Sequence, residues 1–303
     1  MKRVLIVNHK IEQCGVQKFG KRIFDIVGKD QSASYGYVEA SNITEYKDAV
    51  ITFSPDAIVY NWYSCTMPWL SEETVSKDNR EHYFIYHDGG NIRQHFDYYL
   101  FFGAYPRTEP VLRDKSILLP RPLFDYSTPE INNNVLSIGS FGFGQPHKGF
   151  DDLVRYVNEH YSKAVINIHM TDPYFGDRSG KTKDIIKDMC VKLNTNQGIT
   201  LNITDNFMSD SDMLDFLAKN DINVFLYKGS SEGLSSVVDY ALSVKRPIAL
   251  SNNDMFKHVY KEEIDLSLHP LDEILGNGTK PLEEYYNKWS TRSFKGEFDA
   301  IFE

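Results

Sequence analysis

The chain has 303 residues, enough for two domains of ordinary size. Hydrophobic residues make up 41% and charged residues 25%, which excludes a disordered chain and supplies ample apolar surface for real cores. Lysine and arginine number 33 against 42 aspartates and glutamates, a net charge of −9, and no stretch is dense in Lys or Arg, so a nucleic-acid partner is not expected.

Three cysteines, Cys14, Cys65 and Cys190, are too few and too scattered for a disulfide framework or a zinc site. No run approaches the roughly 18 apolar residues of a membrane span. The apolar run at the start is too short for a signal peptide, so a cytoplasmic protein is expected. Triplets beginning at Asn42, Asn202 and Asn277 match the glycosylation acceptor pattern and are read as chance matches.

In chain order, residues 4–7 form a continuous apolar run, the mark of a strand covered on both faces. Val16, Phe19, Ile23, Ile26 and Val27 then recur at helical spacing, with Gly28 placed as a cap. Strands are expected at 35–38, 57–60, 83–86 and 99–102, the first weakened by Gly36. The stretch from Pro120 to Asn134, rich in Pro, Ser and Asn, reads as a linker. Beyond it, strands at 135–138, 164–170, 199–203, 222–227 and 247–250 alternate with helices at 150–161, 183–192, 211–219 and 235–244. The tail, 281–303, reads as helical and aromatic.

Two such βα halves imply an α/β chain of two Rossmann-like, doubly wound parallel-sheet domains facing a cleft, with ligands at the carboxyl ends of the strands. The expected division is 1–125, 126–280 and a closing helical tail over 281–303.

Four segments carry candidate chemistry. Gly15, between the first strand and helix, would let backbone approach a ligand near free helix-start N–H groups. The segment Gly139-Ser-Phe-Gly142-Phe-Gly144-Gln-Pro-His147-Lys148-Gly149 is a glycine-rich loop between strand and helix, where the Lys148 ammonium and the helix dipole would both face a phosphate. After the strand at 222–227, Glu232 can accept sugar hydroxyl hydrogen bonds, and Gly233, Leu234, Ser235 and Ser236 lead into a helix with Ser235 as N-cap. His87 ends a strand and is placed to hydrogen-bond or to act as acid or base. Each has a plainer reading as a turn glycine, a cap or a solvent-facing loop residue. Gly176–Thr182 imitates a phosphate-binding loop but is one spacer short. His169 and Asp177 belong to no metal-ligand cluster.

The order of these pieces resembles the retaining GT-B glycosyltransferases of the large group-one family. The resemblance is carried by residues 135–156 and 222–251, by the first loop from Asn8 to Phe19, and by the Trp289-Ser-Thr-Arg-Ser-Phe tail. It implies a glycosyltransferase, hexosyltransferase-like, that moves a sugar from a nucleotide-sugar to an acceptor hydroxyl of a glycan or other compound. No metal or other cofactor is implied, the nucleotide-sugar being substrate. Lys148 matches the lysine on the donor diphosphate, Glu232 the first acid of the family signature, Gly233–Ser236 the helix-start amides and Gly15 the first-loop glycine. His87 resembles a histidine near the reacting carbon, so the resemblance implies a catalytic set of His87, Lys148 and Glu232. Gly142, Gly144 and His147 belong with the donor loop.

Two positions depart from the family. Ser140 follows Gly139 where an arginine is usual, and Tyr240 stands where the second acid falls. Either His147 or Lys228 substitutes, or the protein is a weakened relative. The rival readings are a non-catalytic nucleotide-sugar binder or partner subunit and a nucleotide-sugar epimerase of the same architecture.

Overall fold

The computed structural model describes residues 2–12, 14–29, 34–87, 95–105, 114–172, 179–229 and 233–303. The chain divides into two compact units. One spans Met1–Pro122 and takes in Glu232–Leu234 and Lys288–Glu303; the other runs over Leu123–Ser231 and Ser235–Asn287.

The first unit contains β1 (Val4–Asn8), α1 (Gly15–Val27), β2 (Tyr35–Glu39), α2 (Ile43–Phe53), β3 (Ala57–Tyr60), α3 (Glu72–Ser76), β4 (Glu81–Ile85), β5 (Tyr98–Phe102) and β6 (Ser116–Leu119). The strands form one sheet in the order β2-β1-β3-β4-β5-β6, and every pairing is parallel. β1 is buried along its whole length because both faces are covered. Val4 and Ile6 join a core with α1, whereas Leu5 and Val7 join a second core with Tyr46 and Val50 of α2. That is the period-two alternation of a strand set between two helical layers.

The second unit contains β7 (Ser137–Phe143), α4 (Phe150–His160), β8 (Ala164–Thr171), α5 (Lys181–Leu193), β9 (Ile199–Thr204), α6 (Asp210–Ala218), β10 (Ile222–Phe225), α7 (Val237–Ser243), β11 (Ile248–Leu250) and α8 (Leu271–Asn277). Its sheet runs β11-β10-β7-β8-β9, again wholly parallel. The tail carries α9 (Glu283–Lys288) and α10 (Thr291–Asp299). It is not one helix: the chain breaks at Trp289-Ser290, where the Ser290 hydroxyl accepts from the Ser293 N–H and starts α10. Phe294, Phe298 and Phe302 are fully buried in the α1 core, and the Tyr35 hydroxyl donates to Asp299 Oδ1 at 2.8 Å. Three such rings are worth about 1.5–3 kcal/mol each in burial.

Several expectations are corrected. β4 begins two residues early, at Glu81, because His82 is buried against the Tyr60 hydroxyl and behaves as a core residue. β2 forms in spite of Gly36; a Cβ there would lie 2.7 Å from the Phe53 ring, so the glycine makes room for α2. α2, α3 and β6 were not expected. Asn42 is the N-cap of α2, its side chain accepting from the Thr44 and Glu45 N–H groups, which gives the Asn42 triplet a structural reason. Gly28 does close α1, donating to Phe24 O at 2.8 Å, but with right-handed rather than left-handed backbone.

Candidate functional site

In the second unit the glycine loop is shorter than expected: the strand begins at Ser137, not 135, and runs on through Gly139, Ser140 and Gly142 to Phe143. Only the stretch from Gly144 to Gly149 leaves the carboxyl end of β7, where it is fastened to the segment that follows β10. The Lys228 N–H donates to His147 O at 2.8 Å. Gly149 has φ +67°, and a Cβ there would fall 1.8 Å from Leu226 O, so no other residue fits. Gly144 lies against Lys183 of α5, with 2.6 Å between its virtual Cβ and that side chain. Gly142 is differently placed: its virtual Cβ would touch Phe150 and Lys148 at ordinary contact distances, 3.6 and 3.7 Å.

This fastening sets Lys148 on the face of Tyr227, with Nζ 3.9 Å from the ring centroid, a cation–π contact. Lys148 is buried, and burial alone pulls its pKa from 10.5 down to about 7. Among the described residues no carboxylate pairs with it. His147 lies beside the same ring, at 6.1 Å between centroids, and is held below its ordinary pKa by burial and then by Lys148. The Tyr227 hydroxyl meets the Ser235 hydroxyl at 3.0 Å. Asn253 braces the strand end, donating to Gly229 O at 2.6 Å.

Lys148, His147 and Ser235 therefore come together around Tyr227, a residue that sequence reasoning did not single out, and Gly142 lies against Lys148. Ser235 is not the N-cap. α7 begins at Val237, Ser236 holds the cap position without a side-chain bond, and the Ser235 N–H is spent on Met255 O at 3.0 Å. Gly233 and Leu234 precede this turn; Glu232 lies outside the described residues, as does Asp177.

The two departures have definite partners. Tyr240 is buried, its ring edge-on to Phe141 at 5.5 Å, and its hydroxyl donates to Asp210 Oδ1 at 2.7 Å. Ser140 is buried. Lys228, one of the two residues expected to stand in for the arginine, has its ammonium engaged by Asp151 and Asp152 at 2.8 and 2.9 Å.

In the first unit, Val7 pairs with Tyr60, so Asn8 and Asn61 follow side by side at the carboxyl ends of β1 and β3. The Asn61 amide donates to Asn8 Oδ1 at 2.8 Å and to Val16 O, in the first turn of α1 beside Gly15, at 2.7 Å. His87 Nε2 lies 2.6 Å from Asn61 Oδ1, and its ring is edge-on to Phe19 at 5.5 Å. Burial, then Arg121 and His9, lower the His87 pKa to about 3. His87 is therefore a neutral hydrogen-bonding group at physiological pH and a weak base. His9 is also lowered, to about 4, by burial that outweighs the attraction of Glu39. Asn8 and Asn61 were missed by sequence reasoning; their signal is a polar residue directly closing an apolar strand run.

Among the described residues no three His, Cys, Asp or Glu side chains gather as a metal site, and no helix is long and apolar enough to cross a membrane. His169 bonds Thr204 Oγ1 at 2.9 Å.

No protein-family model and no curated protein sequence matches the chain. Solved structures do. Anabaena Alr3699/HepE, in complex with UDP and glucose, is similar over 100% of this chain and 99% of its own, with a TM-score of 0.69 and 10% identity. A glycosyltransferase from Rickettsia africae is similar over 99% and 97%, with a TM-score of 0.69 and 13% identity. An alpha-glucosyltransferase in complex with UDP and a 13-mer DNA is similar over 100% of both chains, with a TM-score of 0.63 and 14% identity. At these identities the likeness establishes the fold: two parallel-sheet α/β domains of the GT-B glycosyltransferase kind.

Proposed function

We propose that the chain transfers a hexosyl group from a nucleotide-sugar donor to an acceptor hydroxyl, with retention of configuration and without a metal or other cofactor. The observation that carries the reading is Lys148. Its ammonium is buried beside Tyr227, at the carboxyl end of the sheet, with no carboxylate among the described residues to balance it. Taking an ammonium out of water costs several kcal/mol when nothing compensates it. A diphosphate supplies the missing charge, and the charge it gains on leaving the sugar is what a preformed cation stabilises. The glycosyltransferase and UDP complexes that share the fold support the same donor class.

Neutral His87 serves this chemistry as an acceptor for a hydroxyl hydrogen rather than as a proton-transfer group, whose pKa should lie near the working pH. Glu232 and the Gly233–Ser236 segment are assigned to the donor sugar side, less the Ser235 N–H. The acceptor is a glycan or another hydroxyl compound; the net charge of −9 argues against nucleic acid.

A panel of nucleotide-sugars with a mixed acceptor pool tests this, with and without chelator. The reading expects one donor to be consumed, undiminished by chelator. Failure of every nucleoside diphosphate to bind would overturn it.

The second reading, a binder that has lost turnover, is favoured by the engagement of Tyr240 with Asp210 and of Lys228 with Asp151. It expects nucleoside diphosphate binding with no donor consumed.

A further inference from the structure

His87 stands at the end of a chain of hydrogen bonds whose every direction is fixed. At the far end, Glu39 Oε1 accepts from the Tyr37 hydroxyl at 2.7 Å and from Gln17 Nε2 at 2.8 Å. Burial and the Glu39 acceptor hold Tyr37 well above its ordinary pKa, so its phenol stays protonated. Its oxygen is then free to accept, and Asn8 Nδ2 donates to it at 2.9 Å and to Gln17 O at 2.8 Å. With both amide hydrogens committed, Asn8 turns Oδ1 the other way. There it accepts from the His9 N–H at 2.9 Å and from Asn61 Nδ2 at 2.8 Å.

Asn61 repeats the pattern. Its second amide hydrogen goes to Val16 O at 2.7 Å, so Oδ1 is the atom that faces His87 Nε2 at 2.6 Å. Turning this amide over would set oxygen against both Asn8 Oδ1 and Val16 O. A carbonyl oxygen only accepts, so the hydrogen between them belongs to His87 Nε2. α1 is shaped for this arrangement. Gly20 sits in its interior, where a Cβ would fall 2.3 Å from Asn61 Nδ2 and 2.9 Å from Asn8 Nδ2.

We propose that Asn61, oriented by Asn8 and anchored through Tyr37 to Glu39, is a positioning residue that keeps the His87 proton on Nε2 and leaves Nδ1 as a hydrogen-bond acceptor for substrate. An unprotonated Nδ1 accepts and cannot donate, so its ligand is a hydrogen-bond donor, which under the glycosyl-transfer reading is a hydroxyl. The kinetic consequence, though not the proton position, rests on the glycosyl-transfer reading above.

The experiment is nitrogen-15 NMR of the full chain with labelled histidine, His87 being identified by the signal lost in His87→Gln. In the wild type one His87 side-chain proton is expected, on Nε2 and slow to exchange with water. Asn61→Ala should speed that exchange by about 2- to 10-fold, the worth of one hydrogen bond. It should let both tautomers appear and lower kcat by a similar factor at unchanged donor KM. Gly20→Ala, which crowds Asn61 without altering it, should shift the same signal and decides the matter if Asn61→Ala does not fold.

A proton found on Nδ1 in the wild type would overturn the inference. So would a His87 signal indifferent to Asn61→Ala. The proton position is read without substrate. A chain that shows the expected signal but transfers no sugar therefore refutes glycosyl transfer alone, and an active chain with an indifferent signal refutes the positioning role alone.

Discussion

His87 in the first unit and Lys148 in the second are both basic side chains that burial drives toward the neutral form. Their surroundings differ. His87 sits at the end of a directed series of side-chain bonds, and its polar Nε2 edge is satisfied by Asn61. Lys148 has an aromatic face and, among the described residues, no acceptor with a negative charge. The first unit thus satisfies the Nε2 edge of its basic group from its own chain, while in the second unit, on the reading proposed above, a ligand's anion would complete the charge. A pKa depressed to about 3 removes a proton for good at neutral pH, whereas one near 7 can be restored when an anion arrives.

The comparison can be broken at its base by Gly149→Ala. A Cβ 1.8 Å from Leu226 O, at a left-handed backbone position, should cost about 3 kcal/mol of stability and displace Lys148. Thermal or urea unfolding measures the loss, and nucleotide binding should fall with it.

Lys148→Met removes the uncompensated charge and keeps the apolar stem on Tyr227. Turnover should drop about 10- to 100-fold, the value of one charge-assisted contact of about 1.5–3 kcal/mol. Stability should rise at the same time, by about 1–3 kcal/mol at pH 7. The sign follows from a folded pKa near 7 against 10.5 for the ordinary lysine. The cost of burying the ammonium is full below pH 7 and is relieved as pH rises toward 10.5. The stabilisation by Lys148→Met should therefore be largest at low pH and fade in alkali, as paired unfolding curves would show.

Lys228→Met sharpens the contrast from the other side. This ammonium is already held by Asp151 and Asp152 and is partly exposed. Its removal should lower stability by about 1 kcal/mol and change diphosphate affinity by no more than about threefold. A loss as large as that of Lys148→Met, read by titration calorimetry, would mean that the two lysines act as one cationic site.

Much of this was legible in the sequence because parallel strands covered on both faces read as unbroken apolar runs. β3 is Ala57–Tyr60 in both readings, and β1 differs by one residue, Asn8. The edge strand β6 escaped because it is half exposed and runs into Pro120. α2 escaped because it buries only Tyr46 and Val50, too few to make a stripe. In the candidate site, the glycine loop and Lys148 were visible as local sequence. Tyr227 was hidden because a tyrosine closing a strand looks like core, and Asn8 and Asn61 because strand register, not spacing along the chain, makes them neighbours. The Ser235 N–H was misread because Met255, which takes it, is 20 residues away.

The central claim is that Lys148 awaits an anion, and proton uptake on binding tests it most directly. At pH 8 the phosphates of a nucleoside diphosphate are already ionised, whereas a lysine with a pKa of about 7 is mostly neutral. Titration calorimetry of UDP in buffers of different ionisation enthalpy should show close to one proton taken up per molecule bound. It should show none with Lys148→Met. Affinity for the wild type should weaken about tenfold for each pH unit above 7, because the proton must be supplied before the charge can act. Binding at pH 8 with no proton uptake, or with the same uptake in Lys148→Met, would contradict the account.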